Sequence, residues 1–238
     1  MRYLFITLHA PLAANGEIAV GSYRASWPRP ARSAILGLVE GALGIDRASE
    51  ADHAALDAGY GYAVRTDASG RPLADYHTVQ VPKGARARGQ PTRRDELAFG
   101  NLKTILSSRE YRTDTLYTVA LWPRDGARWT LEELAAALRA PHYIPYFGRK
   151  SCTFTLPFGP EIIDAPDLLF AFAKRAHVPT TVAEDLRLQL EQAPQIACDV
   201  DAGVQHERVE HRRDRYLNRS TWLFSERPEH IAHVGASK

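Results

Sequence analysis

The sequence predicts an α+β fold made of two β-α-β units with an insertion between them. Two observations carry this prediction. Apolar runs typical of strands alternate with two amphipathic helix patterns, and a basic segment rich in glycine and proline separates the two units. The chain has 238 residues, of which 45% are hydrophobic and 24% charged, as in an ordinary globular protein with a substantial core.

The first unit ends near residue 66. Residues 3–9 are a short apolar run before a proline, which predicts a strand. Residues 34–43 place apolar side chains at helical spacing, with Ser33 in front as a candidate N-cap and Gly44 behind as a stop. Residues 60–66 alternate like a strand, and a turn follows.

The second unit begins with residues 111–122, the longest β-prone run in the chain. Residues 130–139 form a clear helix pattern, with Thr130 as cap and Glu133 at the reciprocal capping-box position. Residues 151–156 return to strand character. This order of elements is that of the ferredoxin-like fold, which RNA-recognition modules share, so we expect a ferredoxin-like palm.

The last third of the chain is less regular. Residues 167–176 and 183–191 have helical patterns, and residues 216–224 have the pattern of a late strand. We therefore expect residues 1–163 to form the palm and residues 164–238 a small C-terminal accessory region.

The insertion contains residues 80–94, QVPKGARARGQPTRR, which hold five cations and no acid although the net charge of the chain is only +2. Its prolines and glycines exclude a regular helix. Taken alone, such a run is either a solvated surface loop or a cationic arm.

Two further loops carry cations. WPRPARS, residues 27–33, leads into the first helix, where Arg29 and Arg32 and the free N–H groups of the helix offer a phosphate site. YIPYFGRKSC, residues 143–152, places aromatic rings before two cations, which suits stacking beside a phosphate. Each loop equally fits a plain structural turn with solvated cations. Convergence of both loops with the insertion would form a groove for single-stranded RNA.

Other chemistries have little support in the sequence. The two cysteines, Cys152 and Cys198, form no CxxC pair and indicate a reduced cytoplasmic compartment. HERVEH, residues 206–211, has one residue too many for the metallopeptidase pattern. No phosphate-binding loop or nucleophile elbow is present, and no segment is long and apolar enough for a membrane span. We expect no cofactor and no metal.

Several segments, in order and with consistent spacing, resemble the Cas-five family of the RAMP superfamily, the subunit family of the type I-E CRISPR surveillance complex Cascade. These are PARSAILGL (residues 30–38), DYHTV (75–79), REY (109–111), TVALW (118–122), PHYIPYFGRKSC (141–152) and, more thinly, RYLNRSTW (215–222).

The resemblance implies a ferredoxin-like palm with a thumb, residues 79–108, inserted between its second and third strands. It also implies a role in antiviral defence: the chain holds the 5′ handle of the CRISPR RNA (crRNA) and caps one end of a ribonucleoprotein. The partners would be the crRNA, the backbone subunit and the large subunit, with target DNA reached through the assembled complex and no membrane involved.

By the same resemblance, sixteen residues are candidates for RNA binding. They are Arg29, Arg32, Ser33, His77, Thr78, Lys83, Arg86, Arg88, Arg93, Arg94, Lys103, Arg109, Tyr146, Gly148, Arg149 and Lys150.

The main alternative is a metal-independent endoribonuclease that processes CRISPR precursor RNA. Such an enzyme needs a base, an acid and a cation near the substrate 2′-OH. Tyr76, His77, Tyr146 and Lys150 supply these residue types, although they suit binding equally well. The resemblance implies that a separate subunit cuts the RNA, so we expect that this chain is not an enzyme.

Overall fold

The computed structural model describes residues 1–16, 18–19, 21–83, 91–98, 100–175, 180–218 and 221–233. Its strands are β1 (Arg2–Ala13), β2 (Tyr23–Arg24), β3 (Tyr60–Ala68), β4 (Arg71–Pro82), β5 (Leu102–Pro123), β6 (Glu161–Asp164), β7 (Gln195–Cys198), β8 (Arg208–Asn218) and β9 (Leu223–His233). Its α-helices are α1 (Arg32–Leu43), α2 (Glu50–Gly59), α3 (Arg93–Leu97), α4 (Leu131–Arg139), α5 (Leu168–Lys174) and α6 (Thr180–Asp185).

One large sheet organises the chain. Its strand order is β6-β1-β5-β3-β7-β9-β8, and β2 and β4 pair with β5 outside this path. All these pairs are antiparallel except β2 with β5, which is parallel. The predicted α+β class is confirmed as a mixed chain built on a large antiparallel sheet.

Both faces of the central strands are buried under helices. Alternate side chains of a strand point to opposite faces, so these strands contribute to two separate cores. On one face Ile6 and Val119 belong to a buried cluster with Ile35 of α1 and Leu134 of α4. On the other face Phe5 and its neighbours belong to a second buried cluster that includes residues of α5. An RNA strand therefore cannot lie flat on the central strands, as it does on the open sheet of an RNA-recognition module.

Local signals in the sequence predicted several elements well. The predicted helix over residues 130–139 is confirmed as α4, where Thr130 and Glu133 form the expected capping box. The stop of α1 at Gly44 is confirmed, with a left-handed φ of 77°. Ser33, however, is not its N-cap. The cap is Ala31, so Ser33 lies inside the first turn of α1.

Other predicted elements are wrong. Residues 151–156 form no strand, and the strand that follows α4 is β6, which pairs with β1. Residues 186–191 lie beyond the end of α6, although α5 forms where the helix over residues 167–176 was predicted. The predicted strand over residues 216–224 spans the end of β8 and the start of β9, so the run contains a reversal of the chain.

The C-terminal strands β7, β9 and β8 continue the main sheet outward from β3. The boundary at residue 163 stays a prediction, but what lies beyond it is hydrogen-bonded into the same sheet. Among the helices that the structure describes, none has the length and apolar character to cross a bilayer.

Candidate nucleic-acid interface

An antiparallel hairpin projects from the sheet. Strand β5 has 22 residues, and only its second half lies between β1 and β3. Its first half pairs with β4 from Thr113 opposite Arg71 to Leu102 opposite Pro82. We call this hairpin, residues 71–82 and 102–113, the arm. It begins well before the predicted insertion at residue 79.

Glycine 70 makes the tight turn that starts the arm. Its φ is +65°, and a Cβ at this position would lie 1.8 Å from the carbonyl oxygen of Thr113. Only glycine fits both conditions. At the far end, helix α3 is fixed to the arm by Arg93, which donates to the carbonyl oxygen of Gln80.

Along each strand of the arm the side chains alternate between two faces. Residues directly paired across the ladder lie on the same face. Asp75 is paired with Arg109, and Arg109 is paired on its other edge with Arg24 of β2. His77 lies two positions after Asp75 in β4, and Tyr111 lies two positions after Arg109 in β5, so both are on the same side as Asp75 and Arg109. We call this side, defined by Arg24, Asp75, His77, Arg109 and Tyr111, the charged face of the arm.

The loop over residues 143–152 meets the base of the arm through Arg149. The guanidinium donates to the carbonyl oxygen of Glu110 at 2.9 Å and lies 4.4 Å from the ring centroid of Tyr111. This cation–π contact leaves the charge of Arg149 unneutralised. This loop therefore meets the base of the arm at the charged face, at Glu110 and Tyr111, just beyond the predicted insertion, which ends at residue 108.

Gly148 sets the position of that loop. It has a φ of +84°, and a Cβ would lie 1.9 Å from the carbonyl oxygen of Ala14. The amide of Ala14 donates to the carbonyl of Phe147 at 3.1 Å, and the amide of Phe147 donates to that of Cys152 at 2.7 Å. The loop is therefore a closed turn that presents Arg149 and Lys150.

Several cations at this surface have no acidic partner. Among the residues that the structure describes, no carboxylate lies within salt-bridge distance of Arg24, Arg109, Arg149 or Lys150. An uncompensated group of cations is the electrostatic footprint of a phosphate-binding surface.

Glu110 connects the parts of this surface, and the sequence did not point to it. Its carboxylate accepts from the hydroxyl of Tyr23 and from the amide of Ser26, while its carbonyl accepts from Arg149. One residue thus ties the segment around β2 and the loop over residues 143–152 to the arm. It lies within the REY segment, of which only Arg109 was singled out.

The WPRPARS loop does not supply a phosphate site, contrary to the prediction. Arg29 is 4% exposed and Arg32 is 3% exposed. Arg29 binds the carboxylates of Glu229 and Glu210 at 2.5 and 2.6 Å. Its charge is therefore used inside the protein.

The start of α1 is also occupied. The amide of Arg32 donates to the Asp214 carboxylate at 2.8 Å, so a side chain of β8 takes the position in which a phosphate was expected. The Arg32 guanidinium contacts Asp57 and Asp199. Arg29 and Arg32 are thus corrected from RNA contacts to buried structural cations.

These arginines belong to a buried ionic network that joins the start of α1 to β8, to β9 and to Asp199, the residue just after β7. Arg227 is at its centre, with Asp214, Asp199 and Glu229 at 2.7, 3.1 and 2.7 Å. Burial disfavours the charged form of Arg29, but Glu229 and Glu210 outweigh this effect and raise the pKa of its guanidinium. The carboxylates hold the buried arginines charged.

The remaining predicted residues have diverse environments. Thr78, Lys83, Lys103 and Tyr146 are exposed, and Lys83 and Lys103 lie near the end of the β4–β5 ladder. Arg93 is tied to Glu96, whereas Arg94 has no acidic partner among the described residues. Arg86 and Arg88 lie outside the described residues.

The residues proposed for nuclease chemistry do not form one cluster. Tyr76 and His77 are neighbours in β4, so their side chains lie on opposite faces of the arm. His77 Nε2 is bound to the Asp75 carboxylate at 2.5 Å. A base and an acid drawn from these two residues cannot face the same 2′-OH.

The fold and this surface define the chain as a mixed α/β sheet protein with a projecting, cation-bearing arm. The sequence matches the family described as CRISPR-associated protein (Cas_Cas5) over residues 3–228. The chain belongs to this family.

Individual relatives agree with that membership. The chain is 36% identical over 163 residues to the CRISPR system Cascade subunit CasD of Escherichia coli (strain K12), a match that covers 65% of this chain and 68% of the relative. Its fold is similar to a chain of a CRISPR RNA-guided surveillance complex, with a TM-score of 0.66, 21% identity and coverage of 98% and 90% of the two chains. A crystal structure of a Cas protein gives a TM-score of 0.59 at 22% identity, with coverage of 98% and 94%.

Proposed function

We propose that this chain is the crRNA-binding subunit of a type I-E Cascade complex and that the 5′ handle of the RNA lies against the charged face of the arm. The observation that carries the proposal is the convergence of Arg24, Arg109 and Arg149 at the base of the arm, without carboxylates to neutralise them. Lys150 extends the same surface from the neighbouring turn. A 36% identical relative that is a Cascade subunit supports this reading.

We infer that β6, β1, β5 and β3, with α1 and α4 between them, are the ferredoxin-like palm. In chain order these strands are the fourth, first, third and second, and antiparallel neighbours in this order are typical of that fold. The arm with α3 then corresponds to the thumb over residues 79–108, extended back to Arg71 and forward to Thr113.

The arm also offers a surface for protein partners. Val79 and Ile105 are paired across it, lie on the same side of the ladder and are 41% and 46% exposed. Adjacent exposed apolar side chains on a projecting hairpin favour a contact with another chain. We propose the backbone subunit as that partner, with the large subunit and target DNA joined through the assembled complex.

The RNA-binding proposal is tested with the purified chain and a 5′-labelled RNA from its own CRISPR repeat. Affinity is measured over a range of salt concentrations for the wild type and for Arg109→Gln and Arg149→Gln. Each lost phosphate contact lowers the slope of log affinity against log salt by about 0.7 to 1. Arg213→Gln on β8 is the control, because Arg213 is exposed and donates to the carbonyl of Phe224.

Unchanged slopes in both variants would mean that these arginines do not contact phosphates. For the thumb, the combined replacement of Arg86, Arg88, Arg93 and Arg94 is expected to lower the slope further. A slope equal to that of the wild type would remove the thumb from the proposed interface.

We propose that the chain binds RNA without cutting it, a reading supported by the opposite orientations of Tyr76 and His77. The same RNA, incubated in EDTA and run on a denaturing gel, is expected to remain intact. Discrete fragments that vanish in His77→Ala or Tyr146→Phe would replace binding by the endoribonuclease function.

A further inference from the structure

An acidic side chain lies in the middle of the charged face. Asp75 is directly opposite Arg109, which in turn is beside Arg24. Its side chain is 45% exposed. A carboxylate among phosphate-binding cations repels RNA and lowers the local positive potential. Asp75 therefore weakens phosphate binding, and phosphate binding alone does not explain a carboxylate at this position.

The carboxylate of Asp75 is not used to neutralise the arginine opposite it. Among the described residues, Arg109 has no ion pair, and the ion pair of Asp75 is with His77. The two side chains lie two residues apart on the same side of β4 and meet through Nε2 of the imidazole at 2.5 Å. Asp75 thus acts on the histidine.

The chemistry of the two groups fixes their roles. An ionised carboxylate only accepts hydrogen bonds, so Nε2 of His77 carries the proton and donates it. In the neutral imidazole the other nitrogen, Nδ1, is then an acceptor. No hydrogen bond to Nδ1 is found within the part of the chain that the structure describes. In its neutral form the half-exposed ring therefore has a single acceptor of defined direction at the charged face.

We propose that Asp75 is a positioning residue for RNA recognition, which sets the orientation and tautomer of His77 so that Nδ1 accepts a hydrogen bond from the RNA. The RNA donor is an N–H of a base or a ribose 2′-OH. This inference rests on the proposed function and adds a contact that reads a hydrogen-bond donor beside contacts that read only phosphate charge.

The proposal makes a prediction opposite to that of simple electrostatics. Loss of a carboxylate near bound RNA strengthens binding if only charge matters. If Asp75 orients His77, Asp75→Ala instead weakens binding of the repeat RNA about three- to tenfold, the usual effect of one lost neutral hydrogen bond. His77→Ala weakens it to a similar extent.

A double-mutant cycle tests whether Asp75 acts through His77. In the His77→Ala background, Asp75→Ala is expected to leave affinity unchanged or to raise it, because only the repulsion remains to be removed. Glu96→Ala is the matched control, since Glu96 is a carboxylate of α3, packed against the arm, and is paired with Arg93. Its removal is not expected to weaken binding.

Three binding results would overturn the proposal. Asp75→Ala could bind as tightly as the wild type, or the loss could be equally large in the His77→Ala background. In the third case the wild type fails to bind the repeat RNA, and this result overturns the proposed function as well. The first two results leave the proposed function intact, so failure of the inference and failure of the proposed function are distinguishable. Repeat RNA with 2′-deoxy substitutions, compared with RNA carrying bases that lack an amino group, identifies which donor His77 binds.

A measurement without RNA keeps the test independent of folding defects in the variants. Two-dimensional ¹H–¹⁵N NMR of the wild-type histidine rings reports which nitrogen is protonated. The expected result is a protonated Nε2 and, in the neutral ring of His77, an unprotonated Nδ1. A neutral ring protonated at Nδ1 would contradict the role assigned to Asp75.

Discussion

Substitution of Arg29 separates a structural role from an RNA-binding role. The family resemblance implied an RNA contact for Arg29, whereas the structure places it in buried ion pairs. Arg29→Gln removes hydrogen bonds at 3.2 and 2.5 Å to Glu229 and one at 2.6 Å to Glu210. Glu229 is fully buried but retains Arg227 at 2.7 Å. We therefore expect the free energy of unfolding to fall by about 3 kcal/mol, the low end for breaking a buried pair on one side.

Urea denaturation followed by circular dichroism measures this loss. In thermal unfolding it corresponds to a decrease in Tm of about 6–12 °C for a chain of this size. Arg2→Gln is the control, because Arg2 forms an exposed ion pair with Glu132 and exposed pairs contribute little to stability. Unchanged stability of Arg29→Gln, together with a smaller salt slope for RNA binding, would refute the structural assignment and restore Arg29 as a phosphate contact.

Three other predictions concern the turn, the buried histidine and the thiols. Gly148→Ala is expected to weaken RNA binding more than Gly126→Ala, as measured by gel shift, because both glycines have positive φ but a Cβ clash occurs only at position 148. Equal effects would mean that the clash is relieved without moving the turn. Burial lowers the pKa of His9, an effect that Asp114 only partly opposes, so the unfolded chain binds this proton more readily. The free energy of unfolding should therefore fall as the pH decreases below about 6.5, and it should fall less in His9→Leu. Urea denaturation over a range of pH measures this, and the same pH dependence in the wild type and the variant would contradict it. Burial raises the pKa of Cys198 to about 12, so a thiol reagent should label this residue in urea but only slowly in the native chain; rapid native labelling would show that the site opens.

Sequence reasoning predicted those elements whose causes lie within a few residues. The capping box of α4 needs only Thr130 and Glu133, and the stop of α1 needs only Gly44. Both are local signals, and both are confirmed. The longest strand was predicted only over residues 111–122, which contain its buried half and the longest β-prone run in the chain.

Strand β4 shows why the rest was not predictable. Most of its side chains are exposed or half-exposed, so it has no buried face to impose an alternating apolar pattern. It is held as a strand by its ladder with β5, a non-local interaction. A sequence pattern reports burial, and a projecting hairpin has little of it.

The buried arginines have the same explanation. Asp214 lies 182 positions from the Arg32 amide that it caps, and Glu229 lies 200 positions from Arg29. A basic run beside a helix start has the same local sequence whether its anion is a phosphate or a distant carboxylate. Only the fold decides between them, and here the C-terminal hairpin supplies the anion.

The network also supports the loop over residues 143–152 indirectly. Trp27, two residues before Arg29, exchanges hydrogen bonds with Asn15, whose neighbour Ala14 contacts the Gly148 turn. A substitution at Arg29 can thus weaken RNA binding without any contact between Arg29 and RNA. Affinity alone does not separate the two roles, whereas the salt slope does, because a displaced loop lowers affinity through geometry and a lost phosphate contact also changes the number of released counterions. We expect Arg29→Gln to reduce affinity with the wild-type slope and Arg149→Gln to reduce both.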